Sequence, residues 1–405
     1  MVRILHFSDL HLGAESYGRF DPETGLSSRM GDFTAAFDHV VAYALQNDIH
    51  LVLFAGDAYK TCDPSPTLQR EFARRIAQMA RAGIPVVLLV GNHDVPNARG
   101  RANAVTIFET LGVENVYVAS RPQTLHIETR GGPIQVLTLP WLGRSILTSL
   151  DEHKNKSIEE IQQTLLEKVD NILLSEVAAL DPTQPAVLLA HASVFGATFG
   201  SERRTVLGRD LLLPASLYAN PAFDYVALGH IHKHQVLSDA PLVVYSGSLE
   251  RIDFGEENED KGFVVAEVTK ARARYTFVQT PARKFITITI KVQVTSQDPM
   301  SDIAKAIEQV DVRDAVVRLI VRASAEHEPL IDDRACRQLL RDAFYIAAIV
   351  RDIERSNRIK LGGVDSVESL TPRELLEQYL RSKNTSQERI RVLLEYADRL
   401  MTSGE

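Results

Sequence analysis

Residues 1–280 alternate between two hydrophobic periodicities. Short apolar runs at 3–9, 50–57, 85–92, 133–141, 185–191, 223–230 and 241–247 are rich in Val, Leu and Ile and are closed by Gly, Pro or polar residues. A strand buried on both faces has this pattern, because neither face needs polar side chains. Between several runs the apolar positions recur every three or four residues. In 32–47 they are Phe33, Ala36, Phe37, Val40, Val41, Ala44 and Leu45. In 67–82 they are Leu68, Phe72, Ile76 and Met79, with Arg70, Arg74 and Arg81 mostly off that stripe. This spacing predicts amphipathic helices. Strand and helix in alternation predict an α/β architecture whose sheet is covered on both faces.

Near Pro281 the pattern changes. Ile286, Ile288, Ile290, Val292 and Val294 alternate with Thr287, Thr289, Lys291 and Gln293, the period of a half-exposed strand. A helix at 299–310, a strand at 315–322 and a helix at 332–349 are predicted to follow, making a small α+β domain over 284–355. The stretch KLGGVDSVESL falls in an expected linker, 356–370. Two short helices are predicted in 371–403. Thr371-Pro-Arg-Glu374 and Thr385-Ser-Gln-Glu388 each match the capping box, and Pro372 takes the favoured first helical position. Leu375, Leu376, Tyr379 and Leu380 line the first helix; Ile390, Leu393, Leu394, Ala397, Leu400 and Met401 line the second.

A chain of 405 residues exceeds what one core normally holds, so two or three domains are expected. Its 45% hydrophobic and 24% charged residues suit a globular protein in water. No run of about 18 apolar residues is present, so no membrane span is expected. MVRILHFSDLHLG is too short and too polar for a signal peptide. Cys62 and Cys336 are far apart and form no metal or redox pattern. The expected compartment is the reducing cytoplasm. The net charge of -8 argues against a free-standing nucleic-acid binder. It leaves a nuclease open, because bound cations offset local acidity and a partner can supply backbone contacts.

Candidate chemistry collects where the apolar runs stop. Asp9 and His11 follow the first run two residues apart, a spacing that points both the same way in an extended segment. The next runs end in Asp57, then Asn92-His93-Asp94, then His191, then His230 with His232. In open α/β sheets the C-terminal edge of the strands is where sites form. Asp9, His11, Asp57, Asn92, His191, His230 and His232 are too many ligands for one ion, but they suit two ions sharing a bridging carboxylate. Carboxylate, amide and imidazole together fit Mn²⁺ or Fe²⁺; Zn²⁺ is compatible, but without thiolates nothing selects for it. Two such ions can clamp the oxygens of an in-line phosphoryl displacement. On this reading His93 is a proton donor or phosphate contact beside the metals, and Asp94 orients His93.

Each element alone is a weak signal. Asp-x-His and Gly-Asp recur by chance, and a lone histidine at a strand end is usually a satisfied core or turn residue. Gly-Asn-His-Asp after an apolar run is more specific, and five elements in order, each after a strand, outweigh the ordinary reading. His6, His39, His50, His126, His153 and His327 lack a ligand partner at useful spacing. His234 extends the His230/His232 alternation and is expected behind the ligands or on the surface. No G-x-x-x-x-G-K-[ST] occurs, so the chain has no ATP site of that kind.

FSDLHLG, FAGD, VGNHD, LLAH and LGHIH together resemble the calcineurin-like metallophosphoesterase superfamily. YSGSLERIDFGEENEDKGF (245–263) narrows the resemblance to its SbcD-type nucleases, the bacterial counterparts of the Mre-type repair nucleases. The resemblance implies a β-sandwich flanked by helices over 1–280, a capping domain at 284–355, and a helical tail at 371–403 that docks on an SbcC-type coiled-coil ATPase. It implies that Asp9, His11, Asp57 and His232 hold one ion, most simply Mn²⁺, and that Asp57, Asn92, His191 and His230 hold the other. His93 is then the catalytic histidine. One position departs from the pattern: archaeal and eukaryotic relatives often carry a histidine three residues after the bridging aspartate, and here that residue is Lys60. A lysine can meet a phosphate only as a point charge.

The expected function is a metal-dependent DNA exonuclease, with endonuclease activity left open, acting with that ATPase in DNA repair and recombination. The expected partners are DNA, the ATPase and a second copy of the chain in a homodimer, with no membrane. A phosphatase or small phosphodiesterase with the same core is the alternative. A DNA-end scaffold with a vestigial site is a third reading, disfavoured by the complete ligand set. Arg99, Arg101, Arg203 and Arg204 are candidates for DNA-backbone contacts, although solvated surface is the simpler reading. The loop 13–29 suits a substrate groove or a dimer contact equally.

Overall fold

The computed structural model describes residues 1–96, 101–142, 158–200, 212–354, 371–383 and 385–402. In chain order its strands are β1 Val2–Phe7, β2 Leu51–Phe54, β3 Val86–Leu89, β4 Val116–Ala119, β5 Gln123–Thr129, β6 Gly132–Leu139, β7 Ala186–His191, β8 Ser193–Val194, β9 Leu212–Leu213, β10 Tyr225–Gly229, β11 Gln235–Asp239, β12 Leu242–Tyr245, β13 Gly262–Thr269, β14 Arg272–Gln279, β15 Phe285–Lys291, β16 Val316–Ser324 and β17 Tyr345–Glu354. All seven apolar runs are strands. The chain divides into two compact units, Met1–Ile288 with Asp311–Arg318 and Leu340–Ala348, and Thr289–Val310 with Leu319–Leu339 and Ile349–Glu405.

The first unit is built on two six-stranded sheets, ordered β14-β13-β1-β2-β3-β4 and β11-β12-β10-β7-β6-β5. In the first, the parallel strands β1, β2, β3 and β4 are followed beyond β1 by antiparallel β13 and β14; in the second, parallel β6, β7, β10 and β12 are flanked by antiparallel β5 and β11. Strand alternation assigns each residue to a layer. Leu51 and Leu53 of β2 join Val187 and Leu189 of β7 in the core between the sheets. Val52 and Phe54, on the opposite face of β2, meet Phe33, Phe37, Phe72, Ile76 and Met79 from the helices Arg29–Gln46 and Pro66–Arg81. The outer face of the second sheet packs Leu188 and Val226 on Val169 and Leu173 of the helix Ile158–Ala178. The architecture is a β-sandwich flanked by helices. Truncating an inner residue such as Leu53, fully buried, to Ala should destabilise the chain by about 2–5 kcal/mol.

The start of the helix Pro66–Arg81 is set by its first residues. Ser65 accepts the Leu68 N–H on its side chain, and Pro66 takes the first helical position. β4, β5, β13, β14 and the helix Ile158–Ala178 are elements that the hydrophobic pattern did not predict.

A third sheet has the order β15-β16-β17. The helix expected at 332–349 is corrected: only Asp333–Leu339 is helical, and Tyr345–Glu354 is strand β17. The spacing of Leu340, Ala343, Ile346 and Val350 fits a helix. Phe344, Tyr345, Ile346, Ile349 and Val350 are nevertheless the aromatic and β-branched types that pack on a pleated surface, and sheet pairing wins.

In the second unit the tail helices Pro372–Ser382 and Gln387–Thr402 pack on each other. The expected capping box at Thr371 and Glu374 is present, Arg373 pairs with Asp398 at 3.1 Å, and Ile390 and Leu394 are buried. The expected linker 356–370 lies outside the described residues. Among the described residues no helix is long and apolar enough to cross a membrane.

Candidate metal centre

The C-terminal ends of β1, β2, β3, β7 and β10 open on one edge of the sandwich. There the backbone leaves its ordinary conformation. Asp9, His11, Asp57 and His230 have φ of 52°, 47°, 61° and 101°, a region that costs a non-glycine residue roughly 1–3 kcal/mol. Main-chain bonds hold them there. Asp9 N–H donates to Gly56 O at 3.0 Å, His11 N–H to Asp57 O at 3.1 Å and Leu12 N–H to Ala58 O at 3.0 Å, so residues 9–12 zip along 56–58. The His230 N–H donates to both Asp9 carboxylate oxygens, at 3.1 and 3.0 Å. Two glycines permit the close approach. A Cβ at Gly91 would fall on the Asp57 carboxylate, and one at Gly56 (φ 97°) would fall on the His191 ring.

The side chains then converge. His11 Nε2 lies 3.0 Å from His232 Nε2 and 3.7 Å from Asp57 Oδ2. His191 Nε2 lies 3.5 Å from Asp57 Oδ2 and 2.8 Å from Asn92 Oδ1, and His230 Nδ1 lies 2.9 Å from the same amide oxygen. Three groups have ligand atoms all within 4.8 Å of one another: Asp9, His11 and His232; His11, Asp57 and His93; Asp57, His191 and His230. All are buried except His93, which is half-buried, as is Asn92. All seven residues expected as ligands are therefore brought to one locus.

The chemistry of these donors fits a cation. His191 Nδ1 donates to Ala55 O at 2.7 Å, so the Nε2 of a neutral ring carries a lone pair. That nitrogen faces Asn92 Oδ1 and Asp57 Oδ2, two acceptors. Buried acceptors facing one another need a proton or a metal between them. In the protein alone a proton takes that place. Although burial lowers it, the Asp57 carboxylate raises His191 to about 9. Burial alone would raise Asp57, but His191, His11 and His93 hold it well below the usual carboxylate range. A divalent ion satisfies the same lone pairs with nitrogen and oxygen donors and no sulfur.

The sequence profile of the calcineurin-like phosphoesterases matches residues 2–234, more than half of the chain. The chain belongs to the calcineurin-like phosphoesterase family. Three curated relatives are similar to this phosphoesterase. The SbcD component of the nuclease SbcCD of Rhodobacter capsulatus is 29% identical over 286 residues, 67% of this chain and 68% of the relative. Its counterpart in the nuclease SbcCD of Escherichia coli K12 is 28% identical over 270 residues, covering 64% and 63%. DNA double-strand break repair protein Mre11 of Archaeoglobus fulgidus is 27% identical over 267 residues, covering 64% and 52%. The chain thus spans between about half and two thirds of these relatives' own lengths.

Within the phosphoesterase edge, one expected role is corrected. Asp94 does not orient His93. Its carboxylate accepts the N–H groups of Asp57 at 2.9 Å, Ala58 at 3.0 Å and Gly91 at 3.0 Å, with Tyr59 at 3.4 Å. It therefore pins the turns that carry Asp57 and Asn92. Burial and the Asp57 charge push Asp94 up, to about 7, and the backbone donors oppose them. The group on the His93 ring is the Lys60 carbonyl, 2.9 Å from Nδ1, while the His93 N–H donates to Asp57 Oδ1 at 2.8 Å. So Lys60 meets the site through its backbone, a contact no side-chain pattern can reveal.

Three further residues escape a reading of the sequence alone. The Trp141 ring lies 4.9 Å from His230, tilted by 34°. It ends the run at 133–141 on the same edge, which is the signal that points to it. Glu256 and Lys261 are buried behind His232, inside the 245–263 stretch. Burial alone would raise Glu256, but Lys261 and His232 hold its carboxyl well below the usual range. His234 stays outside the cluster, its Nδ1 2.8 Å from Tyr245 O and its ring stacked 4.1 Å from Phe277. Arg101 is exposed and 3.6 Å from Asp63. Arg99, Arg203, Arg204 and His153 lie outside the described residues.

Proposed function

We propose that this chain is a DNA nuclease that hydrolyses phosphodiester bonds with two divalent ions, Mn²⁺ first among them, acting as an exonuclease with endonuclease activity left open. The observation that carries the reading is the sharing of Asp57 between two ligand groups at one strand edge. Asp9, His11, Asp57 and His232 would hold one ion, and Asp57, Asn92, His191 and His230 the other. When bound, such ions supply a nucleophilic water near neutral pH and offset the charge that grows on the phosphoryl oxygens.

The chain's own residues supply the rest. Asp94 fixes the main chain under Asp57 and Asn92, which keeps the ligand atoms in place. With Nδ1 on the Lys60 carbonyl, His93 presents Nε2, the nitrogen that exchanges a proton with the departing oxygen. The T-shaped contact of its ring with His11, centroids 4.8 Å apart, keeps it beside the ligands. Trp141 covers His230 and limits water on that flank.

The name of the Archaeoglobus fulgidus relative supplies the substrate class, DNA, and the setting, repair, and the SbcCD relatives supply the nuclease activity. By the resemblance of its sequence motifs to that family, residues 1–280 would carry the chemistry, 284–355 would form a capping domain and 356–370 a linker, and the helices in 371–403 would dock an SbcC-type ATPase in a complex that also pairs two copies of this chain in recombination and repair. The test sets purified protein and Mn²⁺ against labelled linear DNA and, in parallel, a phosphomonoester. Degraded DNA with little monoester turnover is expected. Rapid monoester turnover with intact DNA would replace the nuclease reading by the phosphatase or small-phosphodiesterase alternative.

A further inference from the structure

We propose that Glu256 is a positioning residue that fixes which nitrogen of His232 carries the proton, and so makes the other nitrogen a metal ligand; this rests on the metal-centre reading above. His232 Nδ1 is 2.7 Å from Glu256 Oε1. An ionised carboxylate only accepts, so Nδ1 carries the hydrogen and Nε2 carries the lone pair. That lone pair points at the cluster, 3.0 Å from His11 Nε2. With the opposite tautomer, His232 would donate its Nε2–H to His11 and close the position that an ion must take.

The carboxylate is itself held. Its Oε2 accepts from Lys261 Nζ at 2.9 Å and from the Ile252 N–H at 3.1 Å. Lys261 Nζ also donates to the His232 carbonyl at 3.2 Å and to Glu259 Oε2 at 2.9 Å. Arg251 ties the segment together, donating to the carbonyls of Glu256 at 3.2 Å, Glu259 at 2.6 Å and Arg283 at 3.1 Å. Asp253 caps the short helix Phe254–Glu256 through the Gly255 N–H. Glu256 is fully buried and Lys261 is 2% exposed. Such a pair is costly to bury for packing alone; here it gives a ligand one direction. Groups that hold a ligand histidine in this way typically set metal affinity within 10–100-fold.

The geometry predicts an unusual effect of Glu256→Gln. Lys261 Nζ and the Ile252 N–H both donate to Oε2, so the amide oxygen takes the Lys261 side. The amide NH₂ then faces His232 Nδ1, which must accept, and the ring proton moves to Nε2. A change of one atom type thus reverses the tautomer without leaving a cavity. The experiment uses the 405-residue chain freed of metal with chelator. Long-range ¹⁵N–¹H spectra of ¹⁵N-histidine protein read the His232 tautomer, and Mn²⁺ titration calorimetry reads the sites. Expected are Nδ1–H in the unsubstituted protein, Nε2–H in Glu256→Gln, and a 10–100-fold weaker affinity at one of two Mn²⁺ sites with the other unchanged. Wild-type affinity at both sites with Nδ1–H retained in Glu256→Gln would overturn the proposal. So would Nε2–H in the unsubstituted protein, a readout that holds even if the variant fails to fold. Absence of any Mn²⁺ binding by the unsubstituted protein would instead remove the metal reading, while the tautomer reversal still judges Glu256.

Discussion

Replacing Asp94 separates two accounts of the GNHD turn. Its carboxylate accepts three backbone N–H groups at ordinary hydrogen-bond length, from Asp57, Ala58 and Gly91, and is 2% exposed. Above pH 7, where this carboxyl is ionised, a hydrogen bond to a charged group contributes roughly 1.5–3 kcal/mol net, and leaving a buried donor unpaired costs a similar amount. Three bonds to one carboxylate do not add in full, because water refills part of the space left by Asp94→Ala. A loss of about 3–6 kcal/mol is expected, a large share of the ~5–15 kcal/mol that holds a domain together. Asp94→Asn keeps one acceptor oxygen and should cost about half as much. Urea unfolding in chelator, followed by circular dichroism with the denaturant slope checked for constancy, measures both. Mn²⁺ affinity should fall in parallel, since Asp57 and Asn92 lose their support. A change below about 1 kcal/mol for Asp94→Ala would refute the pinning role. Lost turnover with stability and Mn²⁺ affinity intact would restore Asp94 as the group that orients His93.

Other substitutions probe other parts of the molecule. Asp57→Ala should reduce Mn²⁺ stoichiometry at both positions rather than one, as read by calorimetry; loss of a single ion would show that Asp57 is not shared. His93→Ala should keep both ions yet slow DNA cleavage by about 10²–10⁴-fold, and a variant stripped of metal would contradict its assignment. Burial between the sheets pushes His6 down to about 3, so the unfolded chain takes up its proton first. This contribution is complete above pH 6.5 and is lost as pH falls toward 3, the loss amounting to about 3 kcal/mol at pH 4. Unfolding of His6→Phe between pH 6.5 and 4 should show a shallower loss of stability, and an unchanged slope would refute the account.

The sheet strands at the centre of the sandwich are legible in the sequence because both of their faces are buried, which leaves continuous apolar runs such as VVLL at 86–89. β14 is not, since its residues are mostly exposed or half-exposed and include Arg272, Arg274, Thr276 and Gln279, which an edge strand tolerates. Ile158–Ala178 buries Leu165, Val169 and Leu173, a spacing of four residues that gives a helical signal, but one that a search for strand runs passes over. At the site, the ligand types are legible from the residues that end each strand. Their support is not. The Lys60 carbonyl, the backbone N–H groups on Asp94 and the reach of Glu256 across 24 residues to His232 depend on where the main chain turns, which composition and spacing do not encode.

The strained residues explain why the site sits on this scaffold. Asp9, His11, Asp57 and His230 are four of the eight non-glycine residues with positive φ among the described residues, together disfavoured by about 4–12 kcal/mol. Asp57, Asn92 and His191 also face one another through acceptor atoms, which a proton or a cation must join. A loop could not hold such a cluster; it would relax. Here each strained residue follows a central strand whose inner face is locked in the layer containing Leu53, Leu89, Leu189 and Ala227. The sandwich core resists relaxation, so the ligand atoms stay close before any ion arrives. Binding then gains what preorganisation saves: an ion at 100 times its dissociation constant stabilises the folded chain by about 2.7 kcal/mol. Strain at the edge and order in the core are therefore one device, and a substitution in either should be felt in the other.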